Sequence, residues 1–407
     1  MSSISASSPE RHKLIQLLGV SAFIVAGGIH YQMPMLAMIA ADLHADAAAI
    51  GWIPTLSFGG MLLGAIFLVP LGDRVDKHRL VMYKIVILTL AQATMIVAPN
   101  VTVLALASLV SGICSSLSQS FISITAEMAD PNHRGRALGT QLTAMFTGLM
   151  FARLVGGIIA THWGWRYTYV FSTGLLLCIT PVLWSHLPHT RPTTRQPYWA
   201  LIGSLWTLFR VQGGIRRAAA IQFLFGICYG GFWAVASPML LLIHGVGAAT
   251  AGLMGIPGAA GISVTRFAGR WTDRVGLKPV VFTGIVSMLA AWVVMAFGIW
   301  SIIALVLGAI LLDCGLRISM VANQTLVNSA VPLARSRANT IFGAHVWCGN
   351  AVGAFLTSLA FAQWGWLAVC MVAMSAIVMA MLIHLGVLPI GIEQKILKQD
   401  ETPHNES

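Results

Sequence analysis

The chain consists of long apolar runs separated by short polar segments. A helix needs about 20 apolar residues to cross the hydrocarbon core of a bilayer, and each run is of about this length. They predict twelve transmembrane helices, over residues 14–38, 48–71, 79–98, 102–125, 137–160, 166–186, 217–242, 248–268, 279–298, 301–328, 338–361 and 366–389. The pattern therefore predicts an all-α membrane protein.

A polar segment that begins with aspartate and arginine occurs twice, after the second and the eighth apolar run. Asp273 follows Asp73 by 200 residues, and Trp366 follows Trp165 by 201 residues. Self-similarity at about half the chain length indicates two copies of one structural unit. Parallel repeats with a site between them are typical of transporters. We therefore predict two pseudo-symmetric six-helix bundles.

The repeat divides the chain into three segments. Residues 1–186 form the predicted first half, residues 187–216 a linker, and residues 217–407 the second half with a short tail. Trp199 and Trp206 lie at helical spacing in the linker, within a stretch too short to span a bilayer. Two alternatives remain for this stretch. It is either a helix at the membrane interface or an ordinary linker with a few anchoring aromatic residues.

Composition agrees with a membrane protein and excludes several functions. The chain is 57% hydrophobic and 9% charged, with a mean hydropathy of +0.81. Soluble domains carry about 25% charged residues. The apolar runs contain neither a nucleophile with a base nor histidine and glutamate at metal-ligand spacing. We therefore predict no enzymatic activity, no metal and no cofactor.

The net charge of +11 does not indicate a nucleic-acid partner. Most of the 24 lysine and arginine residues lie at the termini and in alternate loops, with the helix ends beside them. This asymmetry follows the positive-inside rule for membrane proteins. It places both termini and the basic loops in the cytoplasm.

The repeated polar segment resembles the signature of the major facilitator superfamily, in which Gly-x-x-x-Asp-Arg-x-Gly and basic residues follow the second helix of each half. The first copy keeps Asp73, Arg74 and Lys77 but has Val69 and Asp76 where glycines are usual. The second copy matches the signature at Gly269, Asp273, Arg274, Gly276 and Lys278. The resemblance implies a monomeric transporter with alternating access, whose ligands are a small molecule and protons.

Shorter motifs resemble a bacterial branch of drug and metabolite exporters. They are Pro70-Leu71-Gly72-Asp73-Arg74, Asn323-Gln324 and Arg335-Ser336-Arg337. The branch implies a location in the bacterial inner membrane. However, helix 4 lacks the arginine usual in proton-driven exporters, and Ala152-Arg153 replaces the Gly-Pro of the antiporter signature in helix 5. Two alternatives follow: proton-coupled export of a drug, metabolite or carboxylate siderophore, and proton-symport uptake of an organic anion.

The two aspartates of the repeated segment predict a gate. A carboxylate at the cytoplasmic mouth is stabilised by the N-terminus of a helix from the other half. The repeat predicts the partners: Arg335 and Arg337 for Asp73, and Arg134 and Arg136 for Asp273. Such contacts exist only when the cytoplasmic side is closed. Within the first half, Glu127 is placed to bind Arg74 or Lys77. The alternative is that these charges only orient the protein in the membrane.

Four titratable residues within the apolar runs are candidates for the substrate and proton site. A charge in the middle of a transmembrane helix costs about 2.5–3.5 kcal/mol, so it needs a partner or a function. The candidates are Asp313, Arg317, Arg153 and His30. The alternatives are a structural ion pair for Asp313 and Arg317, a packing role for Arg153 bound to a carbonyl or to Asp313, and contact with water for His30.

Overall fold

The computed structural model describes residues 8–72, 74–130, 134–190, 196–256, 258–331, 334–388 and 390. These residues form helices joined by short turns, and no β-strand occurs among them. Nine helices within the described ranges are long and apolar enough to cross a membrane. The predicted all-α membrane fold is therefore confirmed, whereas the count of twelve spanning helices stays a prediction.

The first half contains helices α1 to α10. They are α1 (Ser8–Gly27), α2 (Leu36–Asp42), α3 (Ala47–Ile50), α4 (Trp52–Leu63), α5 (Val69–Leu71), α6 (Lys77–Ile96), α7 (Val101–Cys114), α8 (Leu117–Met128), α9 (Arg134–Trp163) and α10 (Trp165–His186). A π-helical segment, Gly64–Leu68, joins α4 to α5. These pieces form one apolar span, Ala48–Leu71, and α7 with α8 forms another, Val101–Met128.

The linker and the second half contain helices α11 to α18. They are α11 (Tyr198–Val211), α12 (Gly213–His244), α13 (Ala248–Leu253), α14 (Gly258–Val275), α15 (Leu277–Ala296), α16 (Ile302–Ala330), α17 (Arg335–Trp364) and α18 (Trp366–Leu385). The linker thus contains a helix, α11. Its Leu205 is buried in a cluster with residues of α12 and α17, whereas Trp199 and Trp206 are exposed.

The first predicted span is not one continuous helix. Helix α1 ends at Gly27, and turns separate it from the short 3-10 helix Met33–Met35 and α2. Polar side chains form hydrogen bonds at this break. Gln92 Nε2 donates to the Gly28 backbone carbonyl at 2.9 Å, and the Gln32 side chain donates through Nε2 to Ser57 Oγ at 2.6 Å. A helix can break inside a membrane where neighbouring side chains satisfy its backbone. The predicted span 248–268 is also divided, into α13 and α14.

Close helix packing repeats at the offset of the sequence repeat. A Cβ on Gly148 of α9 would lie 2.1 Å from the Phe23 carbonyl oxygen of α1. A Cβ on Gly349 of α17 would lie 2.0 Å from the Phe223 carbonyl oxygen of α12. Glycine at such points lets two helix backbones approach closely. The equivalent helix pairs of the two halves therefore meet in the same way.

Candidate functional site

A small cavity lies between helices of the two halves. Its lining combines three charged or polar side chains of the second half with a stretch of α9 from the first half. The lining residues are Phe146, Leu149, Met150, Arg153, Tyr229, Asp313 and Arg317. The centre of a water molecule can occupy a volume of about 10 Å³ in this cavity, so the cavity holds about one water molecule. Three of the four candidates from the sequence, Asp313, Arg317 and Arg153, thus meet at one place.

Arg153 extends from the first half to aromatic residues of the second half. Its side chain is 1% exposed. Its Nη2 donates a hydrogen bond to Tyr229 Oη at 3.1 Å, and its Cζ lies 3.5 Å from the centre of the Trp233 ring. Among the described residues, its hydrogen-bond partner is therefore neither a carbonyl nor Asp313. No pattern in the sequence indicates these aromatic partners, since both lie in an apolar helix.

Arg317 makes the reciprocal contact. It projects from α16 of the second half, and its Cζ lies 4.1 Å from the centre of the Phe146 ring of α9. A desolvated guanidinium over an aromatic ring is stabilised by about 2 kcal/mol. Each half therefore provides an arginine and an aromatic ring to the other half.

Three buried polar atoms around the cavity have no hydrogen-bond partner among the described residues. Asp313 is 2% exposed, and no ion pair joins it to Arg317 or Arg153 within the described structure. Its Oδ2 atom and the Nε atoms of both arginines are buried without a hydrogen-bond partner among the described residues. Buried polar atoms without partners are energetically expensive. Their presence around one cavity indicates a place for a polar ligand.

His30 does not line this cavity. It lies in the break after α1, is buried, and its Nδ1 contacts the Ala26 carbonyl oxygen at 3.0 Å. Contact of its other ring nitrogen with water stays a prediction.

Contacts between the halves gather at the end of the helices opposite the basic loops. Ser237 Oγ donates to the Pro34 carbonyl at 2.7 Å, and the Ala249 amide donates to Thr161 Oγ1 at 3.0 Å. Trp52 and Phe355 lie with ring centres 5.2 Å apart. The halves are thus closed against each other at this end.

The predicted gate residues of the second half lie at the other end, the basic face. Asp273 is exposed and makes no hydrogen bond or ion pair with any described residue. Its predicted partner Arg136 is exposed, as are Arg335 and Arg337. Arg274 and Lys278 are exposed, Gly269 is partly buried, and Gly276 has a φ of 87°, which favours glycine. The predicted cross-half contact of Asp273 is therefore absent in this conformation. Asp73 and the Arg134 side chain lie outside the described residues.

Within the first half, Glu127 binds one of its two predicted partners. Lys77 forms an ion pair with Glu127, and its Nζ also donates to Ser123 Oγ at 2.9 Å. Arg74 is partly buried and has no such contact among the described residues. The pair connects the start of α6 to the end of α8.

Asp76, which replaces a signature glycine, connects the polar segment to the linker. Its carboxylate caps α6 by accepting from the His78 amide at 3.1 Å. It also accepts from the Thr190 amide at 2.8 Å and contacts His189 Nδ1 at 2.5 Å. Burial raises the pKa of the Asp76 carboxyl, but the hydrogen bonds from His189, Thr190 and His78 lower this pKa by more, so it lies below its ordinary value.

Substitution Asp76→Ala should destabilise the protein by about 1 kcal/mol at pH 7, because α6 loses its cap. A carboxyl group whose pKa is lower in the folded protein stabilises the fold fully at pH values above its pKa in the unfolded chain, which is about 4. This stabilisation is lost as the pH falls toward and below the pKa in the folded protein. Thermal unfolding of the purified protein should therefore show a smaller difference between wild type and variant at pH 3 than at pH 7. Asp76→Asn, which keeps a capping oxygen, should lose less. An equal difference at both pH values would contradict this role.

Lys84 is a buried charge that the apolar pattern does not single out, because it lies near the start of a predicted span. It lies in the third turn of α6 and is 2% exposed. Its Nζ donates to Ser120 Oγ at 3.2 Å. The signal was the spacing of seven residues between Lys77 and Lys84, which places both on one helix face toward α8.

The fold and the site together define an α-helical membrane transporter. The family model described as Major Facilitator Superfamily matches residues 18–267 and again residues 218–402. The chain therefore belongs to the major facilitator superfamily.

Known proteins with similar sequences and structures are transporters. The chain is 30% identical to the probable transporter SCO4007 of Streptomyces coelicolor, over 88% of this chain and 84% of the relative. It is 24% identical to Multidrug resistance protein D of Escherichia coli, over 75% of this chain and 79% of the relative. A bacterial homolog of the human lysosomal transporter Spinster, solved in an inward-facing and unoccupied conformation, is similar with a TM-score of 0.70 and 16% identity. This similarity covers 95% of this chain and 96% of that chain.

Proposed function

We propose that the protein is a proton-coupled secondary transporter of a small organic anion or zwitterion. The observation that carries the proposal is the cavity between the halves, where Asp313, Arg153 and Arg317 present buried atoms without hydrogen-bond partners among the described residues. Arginine suits carboxylates because its planar fork binds them through two hydrogen bonds. Asp313 is the proposed proton carrier, since it is the acidic residue of this cavity.

Export is the first proposed direction. The relative named Multidrug resistance protein D favours this direction, as does the resemblance to bacterial exporters. The substrate is then a drug, a metabolite or a carboxylate siderophore. The second candidate is uptake by proton symport, which is favoured by the two arginines, because an anion bound to them is compatible with a protonated Asp313. In both cases the protein acts as a monomer in the bacterial inner membrane, with both termini and the basic face in the cytoplasm.

The test is accumulation of labelled organic anions in cells with and without the gene, each with and without an uncoupler. Less internal label in cells that express the protein with an intact gradient supports export, and more supports uptake. Insensitivity to the uncoupler for every transported anion would contradict proton coupling.

We also propose that the repeated polar segments form a gate at the basic face. Asp273→Asn should weaken the state that is closed at this face by about 0.3–2 kcal/mol, which is the charge–dipole contribution of a carboxylate at a helix N-terminus. Transport should therefore fall several-fold while the amount of protein in the membrane stays constant. The matched control is Asp46→Asn, since Asp46 is an exposed capping residue at the opposite end. Normal transport by both Asp73→Asn and Asp273→Asn would leave these charges only a role in orientation.

A further inference from the structure

Each arginine of the cavity lies against an aromatic ring of the opposite half, and part of its hydrogen-bonding edge is unused. Arg153 Cζ lies 3.5 Å from the centre of the Trp233 ring, and Arg317 Cζ lies 4.1 Å from the centre of the Phe146 ring. A cation–π contact uses the face of the guanidinium, whereas hydrogen bonds leave from its edge. The Nε atom of each arginine has no hydrogen-bond partner in the described structure. The cavity therefore presents two guanidinium edges, one from each half. Each edge has an Nε–H without a described partner, and Nη2 of Arg153 already donates to Tyr229 Oη.

Two edges of this kind match two carboxylates. One carboxylate accepts two parallel hydrogen bonds from one guanidinium, so a single carboxylate leaves the second arginine unpaired. A buried charge without a partner is costly. Both arginines line this one small cavity, so a ligand that contacts both edges is compact.

We propose that the substrate is a compact dicarboxylate that bridges Arg153 and Arg317, and that Trp233 and Phe146 are the positioning residues for the two arginines. This inference rests on the proposed function. Asp313 takes part in its protonated form, because its carboxylate would repel a dianion, whereas its O–H donates to a substrate oxygen. The dianion and the proton then bind together and move in the same direction, which favours the uptake candidate.

A dicarboxylate bound to both arginines also couples substrate binding to closure of the site. Arg153 belongs to the first half and Arg317 to the second, so a ligand that pairs with both pulls the halves together. A monocarboxylate binds only one of the two edges and does not make this connection.

Three probes of equal chain length test the inference. Succinate has two carboxylates, succinamate has one carboxylate and one amide, and butyrate has one carboxylate. Their dissociation constants for the purified protein can be measured from the ligand-dependent shift of the thermal unfolding midpoint. Succinate should bind at least about tenfold more tightly than succinamate, since only succinate makes a charge-assisted pair with each arginine. Butyrate should bind no more tightly than succinamate.

Variants test the positioning residues through the ratio of these constants. Arg153→Lys keeps the charge but loses the fork, and it should bring the preference for succinate over succinamate close to one. Phe146→Leu should lower this preference about threefold, because Arg317 loses the ring that orients it. The matched control is Phe151→Leu on the same helix, since Phe151 is 40% exposed and lies outside the cavity. A merely structural role of Phe146 would change stability but not the ratio.

Two results would contradict the bridged dicarboxylate alone, and a third would also contradict the proposed function. Equal binding of succinate and succinamate, or no binding of succinate, contradicts a bridged dicarboxylate. If gradient-driven transport of another organic anion is still found, the proposed function stands without it. If expression of the gene changes the accumulation of no organic anion, the proposed function fails as well.

Discussion

Asp313→Asn should abolish the accumulation of substrate against a gradient while substrate binding persists. The amide has nearly the shape of the carboxyl group but cannot release or take up a proton, so the proposed coupling is lost. Asparagine still offers an oxygen and an N–H to the cavity, and both arginines are left in place. Transport driven by the proton gradient should therefore fall to the level of cells without the gene, whereas exchange of substrate across the membrane without a gradient should remain.

The measurement compares uptake and counterflow in proteoliposomes of wild type, Asp313→Asn and Asp313→Glu. Asp313→Glu keeps a titratable carboxyl and should retain part of the gradient-driven transport. If Asp313→Asn still concentrates substrate, Asp313 has only a structural role. His30, which is buried near Arg153, then becomes the next candidate for the proton.

Gly349→Val should strongly destabilise the packing of α17 against α12 in the second half. The new Cβ alone would lie 2.0 Å from the Phe223 carbonyl oxygen, which no side-chain rotation relieves. Overpacking in a core costs about 1–3 kcal/mol, and a clash with backbone lies at or above the upper end. The variant should therefore be less abundant in the membrane fraction and should unfold at a lower temperature than the wild type in detergent.

Two other glycines provide controls for this variant, one at the equivalent position of the first half and one on the same helix. Gly148→Val, at the equivalent position of the first half, should be as damaging, because its Cβ would lie 2.1 Å from the Phe23 carbonyl oxygen. Gly343→Ala, on the same helix as Gly349, meets nothing within 4 Å and should be neutral or slightly stabilising. Normal expression of Gly349→Val would show that α12 and α17 do not pack closely in the membrane.

Much of the fold was predictable from the sequence because apolar length and a repeated motif are direct signals. The runs that contain α9, α12 and α16 are continuous helices. The break after α1 was not predicted, since Gly28, Gln32 and Pro34 lie within a run whose total length suits a single span. Its stabilisation by Gln92 and Ser57 depends on helices far away in the sequence.

The candidate site was predictable in its charges but not in its aromatic residues. Asp313, Arg317 and Arg153 are conspicuous because charges are expensive in a membrane, and the structure brings them to one cavity. Phe146 and Trp233 have no comparable signal, since aromatic residues are ordinary in apolar helices. Only the three-dimensional arrangement shows that each holds an arginine of the opposite half.

The pairing of Arg153 with the second half has a consequence for biogenesis. Tyr229 follows Arg153 by 76 residues, so the ribosome has still to make helix α12 when α9 enters the membrane. At about 5–20 residues per second, this delay lasts roughly 4–15 s. During that time a guanidinium in the bilayer has neither its hydroxyl nor its indole partner. The nascent first half must therefore keep α9 near water, the translocon or a chaperone, and its final assembly waits for the arrival of α12.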